Sequence, residues 1–179
     1  MGVFIKCYLH LILTTRNSAP LIDETWRNEL YRLFENRLRL KGHELLAING
    51  SDNHVHILVS TSSEFSIAEI IKDLKMQSLQ FAFSLTSRQK RLRWQRGFAA
   101  MSYSHSQVNA VVKFINAQQT YHATKSYKEE MEDLLDMFEV GYEEHELDSW
   151  ICEPYASIVQ SKPSAIMLQF SNLNRTGST

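Results

Sequence analysis

His54 and His56 flank Val55 in the run Asp52-Asn53-His54-Val55-His56-Ile57-Leu58-Val59. Residues i and i+2 of a β-strand project to the same side. Two imidazoles would therefore stand together on one face, while Val55, Ile57 and Val59 continue an apolar strand. Imidazole is a common ligand for divalent metals, so this pair could supply two ligands and leave other coordination positions open. On spacing alone, the commoner outcome is two histidines satisfied within a sheet.

A second feature is the distribution of charge. The formal net charge of the 179 residues is −1, but the two signs are segregated. Residues 72–96 carry Lys72, Lys75, Arg88, Lys90, Arg91, Arg93 and Arg96 against Asp73 alone. Trp94 lies among them. Cations that meet phosphates and an indole that can stack on a base form a nucleic-acid-binding pattern. The alternative is a solvated helix end and loop. Residues 129–153 hold eleven acids and no Lys or Arg, and read as a solvated helix face that could also shield a groove from non-specific DNA. Local fields of this kind matter more than the net charge.

The elements that would position these residues follow from periodicity. Residues 3–15 read as a first strand. Residues 23–41 repeat apolar positions at Trp26, Leu30, Leu33, Phe34 and Leu38, which predicts a helix capped by Asp23 and ended by Gly42. Strands follow at 43–50 and 53–60 around the hairpin signal Asn49-Gly50-Ser51-Asp52. Ser66-x-x-Glu69 is a capping box that opens a helix to about residue 84. In that helix Leu79, Phe81, Phe83 and Leu85 could form a base-stacking set, and several of them read as core instead. Residues 97–103 read as a fourth strand, and Ser104-x-x-Gln107 as a second capping box. The next helix has Val108, Val111, Val112 and Ile115 as its core stripe. A last helix is expected within 125–150, with Met131, Leu134, Leu135 and Phe138 as its apolar side.

The order βαββαβα predicts an α+β, ferredoxin-like fold. It would have a four-stranded, largely antiparallel sheet, with the histidines on a central strand and the helices packed on one face. Residues 1–150 form the expected domain, and 151–179 an extension with a mobile tail. The start of the chain lacks a signal-peptide cleavage site. No apolar run approaches the ~20 residues of a membrane span, and two cysteines make no disulfide framework. A reducing cytoplasm is the expected setting, with Cys7 a small buried residue. His10, on the first strand, reads as a buried, satisfied histidine, with approach to the metal site as the alternative.

Four segments together resemble a known family. They are Tyr8-Leu9-His10-Leu11-Ile12-Leu13-Thr14-Thr15-Arg16, Asn53 through Val59, Trp94 through Ser104, and Val112-Lys113-Phe114-Ile115-Asn116-Ala117-Gln118. The family is the small insertion-sequence transposases of the HUH class (His, hydrophobic, His) with one catalytic tyrosine. It includes the REP-associated tyrosine transposases. The resemblance runs from residue 4 to about 148.

It implies a homodimer that cuts single-stranded or hairpin DNA. A divalent metal, Mg²⁺ or Mn²⁺, would be held by His54, His56 and Gln118. A tyrosine one turn before the glutamine would attack the phosphate, leaving a 5′-phosphotyrosine and a free 3′-hydroxyl. In such transposases the catalytic helices are often exchanged between subunits.

This chain departs from the pattern at the decisive position, because Phe114 stands where the tyrosine belongs. Phenylalanine has no hydroxyl. Deliberate replacement, natural decay and a nucleophile relocated to Tyr121 are the readings open at this point. Tyr121 shares a helix face with Phe114 but lies ~10 Å further along an ideal helix. A hairpin-DNA-binding protein without catalysis is therefore the main rival function. An RNA-binding module of RRM type is a second rival. The RNP strands of an RRM expose aromatic side chains, whereas the corresponding strand here carries His54 and His56.

Overall fold

The computed structural model describes residues 4–61, 65–85 and 92–151. Its strands are β1 (Cys7–Thr14), β2 (Glu44–Gly50), β3 (His54–Thr61) and β4 (Ala99–Tyr103). They form one sheet of order β2-β3-β1-β4, antiparallel throughout. The helices are α1 (Glu24–Leu40), α2 (Ile67–Leu85), α3 (Val108–Asn116), α4 (Gln118–Tyr121), α5 (Tyr127–Met137) and α6 (Glu144–Ile151). This is the expected α+β, ferredoxin-like order, with β1 and β3 at the centre.

The central strands are buried on both faces, so alternate residues serve two cores. Leu11, Leu13, Val55, Ile57 and Val59 face a core shared with Leu30, Phe34 and Leu38 of α1 and Ile70, Ile71 and Leu74 of α2. Ile12, Leu58, Ala99 and Met101 face a second core with Val111, Phe114 and Ile115 of α3, Met131 and Leu134 of α5, and Leu147 of α6. Burying each such aliphatic side chain contributes roughly 1.5–3 kcal/mol. The expectation of helices on one face therefore holds for α1 and α2 only. The longer C-terminal part supplies enough apolar surface to cover the other face as well.

Local signals act as the sequence suggests. The Asp23 carboxylate accepts from Thr25 N at 2.8 Å and caps α1. Gly42 takes φ 74° just after α1. The Ser66–Glu69 and Ser104–Gln107 boxes both form, with the Ser66 and Ser104 backbone N–H groups donating back to the side chains three residues on. The β2–β3 hairpin requires Gly50, since a Cβ there would lie 2.2 Å from the His54 carbonyl oxygen.

Three expectations are corrected. The single helix within 125–150 is two helices, because Glu139 adopts φ 53° and ends the first of them. The helix expected to carry both Phe114 and Gln118 breaks at Ala117. Cys7 is exposed, since it opens β1 before the strand enters the core. The segment 152–179 lies outside the described residues.

Candidate metal centre

β3 presents His54 and His56 to the α3/α5 side of the sheet, both fully buried. Their neighbours on β1 follow from the register: Thr14 pairs with His54, Ile12 with His56, and His10 with Leu58. His10 is thus diagonal to His56, and their Nε2 and Nδ1 atoms are 2.8 Å apart. His10 is buried as expected and touches the pair, but it is not fully satisfied, because its Nδ1 makes no hydrogen bond among the described residues.

The break at Ala117 re-aims the chain so that Gln118 and His122, one turn apart on the restarted helix, both turn inward. Gln118 Oε1 lies 3.3 Å from His54 Nε2 and 2.9 Å from His122 Nε2. His122 Nε2 lies 3.1 Å from His54 Nε2. The α5 helix supplies Glu130, fully buried, whose Oε1 accepts from Gln118 Nε2 at 2.6 Å. Glu130 Oε2 lies 3.1 Å from His122 Nε2, 3.5 Å from His56 Nε2 and 3.8 Å from His54 Nε2. The Ser126–Glu129 capping box fixes the start of α5 and so sets Glu130 one turn in. Tyr127 stacks on His54 with ring centroids 4.1 Å apart and shares a 2.6 Å hydrogen bond with Thr14.

Burial and charge set the protonation states. Burial, reinforced by the His56 charge, lowers His54 and His10 well below the usual histidine value. Burial opposes ionisation of Glu130, but the surrounding His56, His122 and His54 outweigh it and hold the carboxyl well below its ordinary range. Burial likewise opposes a charge on His122, and the adjacent Glu130 carboxylate outweighs it and raises that imidazole. The arrangement is a carboxylate ringed by nitrogen and oxygen lone pairs. It can neutralise one small cation.

Phe114 is 2% exposed, and its ring stands 5.9 Å from that of His56 and 6.3 Å from that of His10. Phe114, the expected nucleophile position, therefore faces the histidines. Tyr121 comes closer than helical rise implies, with its ring 5.5 Å from that of Phe114, because the axis breaks between them. The one partly exposed member of the cluster is His122, whose side chain is 13% exposed. It lines an open cavity of about 1150 Å³ bounded by Ile22, Asp23, Thr25, Gly50 and Asp52.

Among the described residues, the basic side chains do not join the histidine cluster. α2 and Trp94 pack in the core on the opposite face of the sheet. Trp94 donates from Nε1 to Ser78 Oγ at 2.8 Å and lies 6.4 Å from the Phe34 ring, so its partly buried indole packs against α1 and α2. Lys75 Nζ donates to the carbonyls of Gln95 and Gly97, each at 2.7 Å, and ties the loop to α2. Lys72, Arg93 and Arg96 are exposed. Arg88, Lys90 and Arg91 lie outside the described residues. Leu79, Phe83 and Leu85 of α2, expected mainly as core, are 40%, 70% and 47% exposed.

Sequence reasoning missed His122 and Glu130. His122 was within reach of it, since i+4 from Gln118 is the same helix face. Glu130 was hidden in an acidic run read as solvated.

Comparison with known proteins places this geometry. The chain is similar in structure to a protein of Deinococcus radiodurans R1 described as a transposase. The TM-score is 0.52 at 20% identity, over 66% of this chain and 95% of that one. It is also similar to a REP-associated tyrosine transposase bound to a REP hairpin, with TM-score 0.53 and 16% identity over 68% of this chain and 72% of that one. Comparison with curated protein sequences gave no match. The family profile of IS200-like transposases matches residues 3–118, which end on Gln118. A chain matched over that length, with the sheet order and histidine strand described above, belongs to the IS200-like transposase family.

Proposed function

We propose that this transposase binds single-stranded DNA folded into a hairpin and offers a phosphodiester to a divalent ion held by His54, His56 and Gln118. It does not cut that strand as it stands, because Phe114 fills the nucleophile's place. The observation that carries this reading is the convergence of the Phe114 ring on His56 one helical turn before Gln118.

The residues present fit a metal. His56 Nε2 and Glu130 Oε2 are buried and make no hydrogen bond among the described residues. When bound, a divalent ion would neutralise phosphate oxygens and polarise the phosphorus. The chain's own residues do the rest. His10 orients His56, and Asn53 orients His54 through a 2.6 Å contact to its Nδ1. A tyrosine at 114 would form a bond from its phenolic oxygen to phosphorus and expel the 3′-oxygen. The phosphodiester's bond energy would be kept in a 5′-phosphotyrosine, so that the strand could be rejoined. Phenylalanine supports binding and none of these steps.

Tyr121 does not take over. Burial, then the carboxylates of Glu130, Asp133 and Glu129, push its phenol above the ordinary tyrosine value. The shift disfavours Tyr121 as the attacking phenolate. The functional unit we propose is a homodimer acting in the cytoplasm. Among the described residues no helix is long and apolar enough to cross a membrane.

The test is a cleavage assay on hairpin-bearing single-stranded DNA with Mn²⁺. The unaltered chain should shift the DNA on a native gel and give no covalent adduct. Phe114→Tyr should give an adduct stable on a denaturing gel and mapped to residue 114 by mass spectrometry. An adduct at Tyr121 in the unaltered chain would overturn the assignment of Phe114, and loss of DNA binding in both would overturn the whole reading.

A further inference from the structure

We infer that His122 and Glu130 join His54, His56 and Gln118 as direct ligands, making a site for a borderline transition ion such as Zn²⁺ or Mn²⁺ in preference to Mg²⁺. This rests on the metal reading above and enlarges its ligand set. Both added residues lie beyond the family match, which ends at Gln118.

The first support is the direction of the lone pairs. His122 Nδ1 lies 3.0 Å from the Lys125 carbonyl oxygen, and His54 Nδ1 lies 2.6 Å from Asn53 Oδ1. A carbonyl or amide oxygen only accepts, so each Nδ1 carries the proton and each neutral ring's Nε2 is a bare lone pair. Those two Nε2 atoms face one another at 3.1 Å. Gln118 donates its amide N–H to Glu130, so its oxygen also turns toward both. Lone pairs this close repel unless a cation lies among them.

The second support is spacing. Bonds of about 2.0–2.2 Å to one ion put neighbouring ligand atoms roughly 2.9–3.5 Å apart in octahedral or tetrahedral shells. The separations here are 2.9 Å for His122–Gln118, 3.1 Å for His122–His54 and for His122–Glu130, 3.3 Å for His54–Gln118, and 3.5 Å for His56–Glu130. His54–Glu130 stands at 3.8 Å, and the ligand atoms of His54, His122 and Glu130 all lie within 4.8 Å of one another.

The third support is the pair of orphaned buried atoms, His56 Nε2 and Glu130 Oε2, that point into the same space. Three imidazoles, an amide oxygen and a carboxylate form a nitrogen-rich set. Mg²⁺ prefers oxygen ligands and keeps its waters, so such a set disfavours it.

The test begins with X-ray absorption on the full, unaltered chain after removal of metal and loading with one equivalent of Zn²⁺. Three imidazoles per ion are expected. Two imidazoles would overturn the enlarged ligand set while leaving the His54–His56–Gln118 site in place. Calorimetry with Mn²⁺, Zn²⁺ and Mg²⁺ follows on the unaltered chain, on Glu130→Gln, on His122→Asn, and on a combined His54→Ala, His56→Ala variant. An outer-shell partner is worth ~10–100-fold in affinity. Glu130→Gln and His122→Asn should each weaken Zn²⁺ by more than that range. Losses within it would make these two positioning residues and overturn the proposal. If either variant fails a circular-dichroism check of folding, the absorption count on the unaltered chain decides. No uptake of any ion by the unaltered chain would mean that a proton on His122 balances Glu130, and would overturn both this inference and the metal reading on which it stands.

Discussion

Tyr127 shows how much one side chain can do for the centre without touching an ion. Its ring lies on His54 at an interplanar angle of 10°, and its hydroxyl shares a hydrogen bond with Thr14. Tyr127→Phe keeps the stacking and leaves the buried Thr14 without that partner. The expected loss is about 1–2 kcal/mol of stability, read by urea denaturation. Metal affinity should stay within a few-fold, because ring position is unchanged. A large drop in affinity would mean the hydroxyl, not the ring, sets His54. At this scale the legible residues were those with a period: two histidines at i, i+2 and a glutamine at i+4 from the nucleophile position. Glu130 was not legible, because the acids of 129–153 look alike in sequence. Only the packing of α5 decides which of them is inside.

Element boundaries were legible wherever a side chain or a glycine punctuates them. Asp23, Gly42, Ser66 and Ser104 all act where expected. Gly50 is the sharpest case, because it enters the turn that sets His54. Gly50→Ala would press a methyl group against the His54 carbonyl, so the hairpin must shift. The expected effect is a destabilisation of about 2–4 kcal/mol, the range of backbone-level disruption, measured by thermal unfolding. Zn²⁺ affinity should fall with it, since the strand that moves carries the first ligand. An unchanged melting temperature would show that the turn has more room than the 2.2 Å approach allows. The breaks at Ala117 and Glu139 were not legible. Neither is a glycine or a proline, so neither break carries a local signal in the sequence.

For the whole molecule, the site is assembled from one chain: β3, α4 and α5 of the same copy meet around Glu130. The proposed homodimer would present two such clusters to DNA. Light scattering with hairpin DNA present should give a dimer, and a persistent monomer at micromolar concentration would remove that part of the proposal.

On the proposed function, the charge layout would set how DNA approaches. Glu139, Glu143, Glu144, Glu146 and Asp148 are exposed along the α5–α6 side and repel phosphates. Lys72, Arg93 and Arg96 are exposed on and beside the opposite helical layer. DNA held there is held by counterion release. If about four phosphates are neutralised, the log–log slope of affinity against salt should be roughly −3 for a single strand. Arg93→Glu with Arg96→Glu should weaken binding at low salt by an order of magnitude or more and flatten the slope by about 1–2. Neither residue touches the metal cluster, so Zn²⁺ affinity should not change in that variant. Equal DNA binding by the variant would make the exposed arginines a solvated surface. It would then direct attention to the cavity beside His122 as the place where the strand enters.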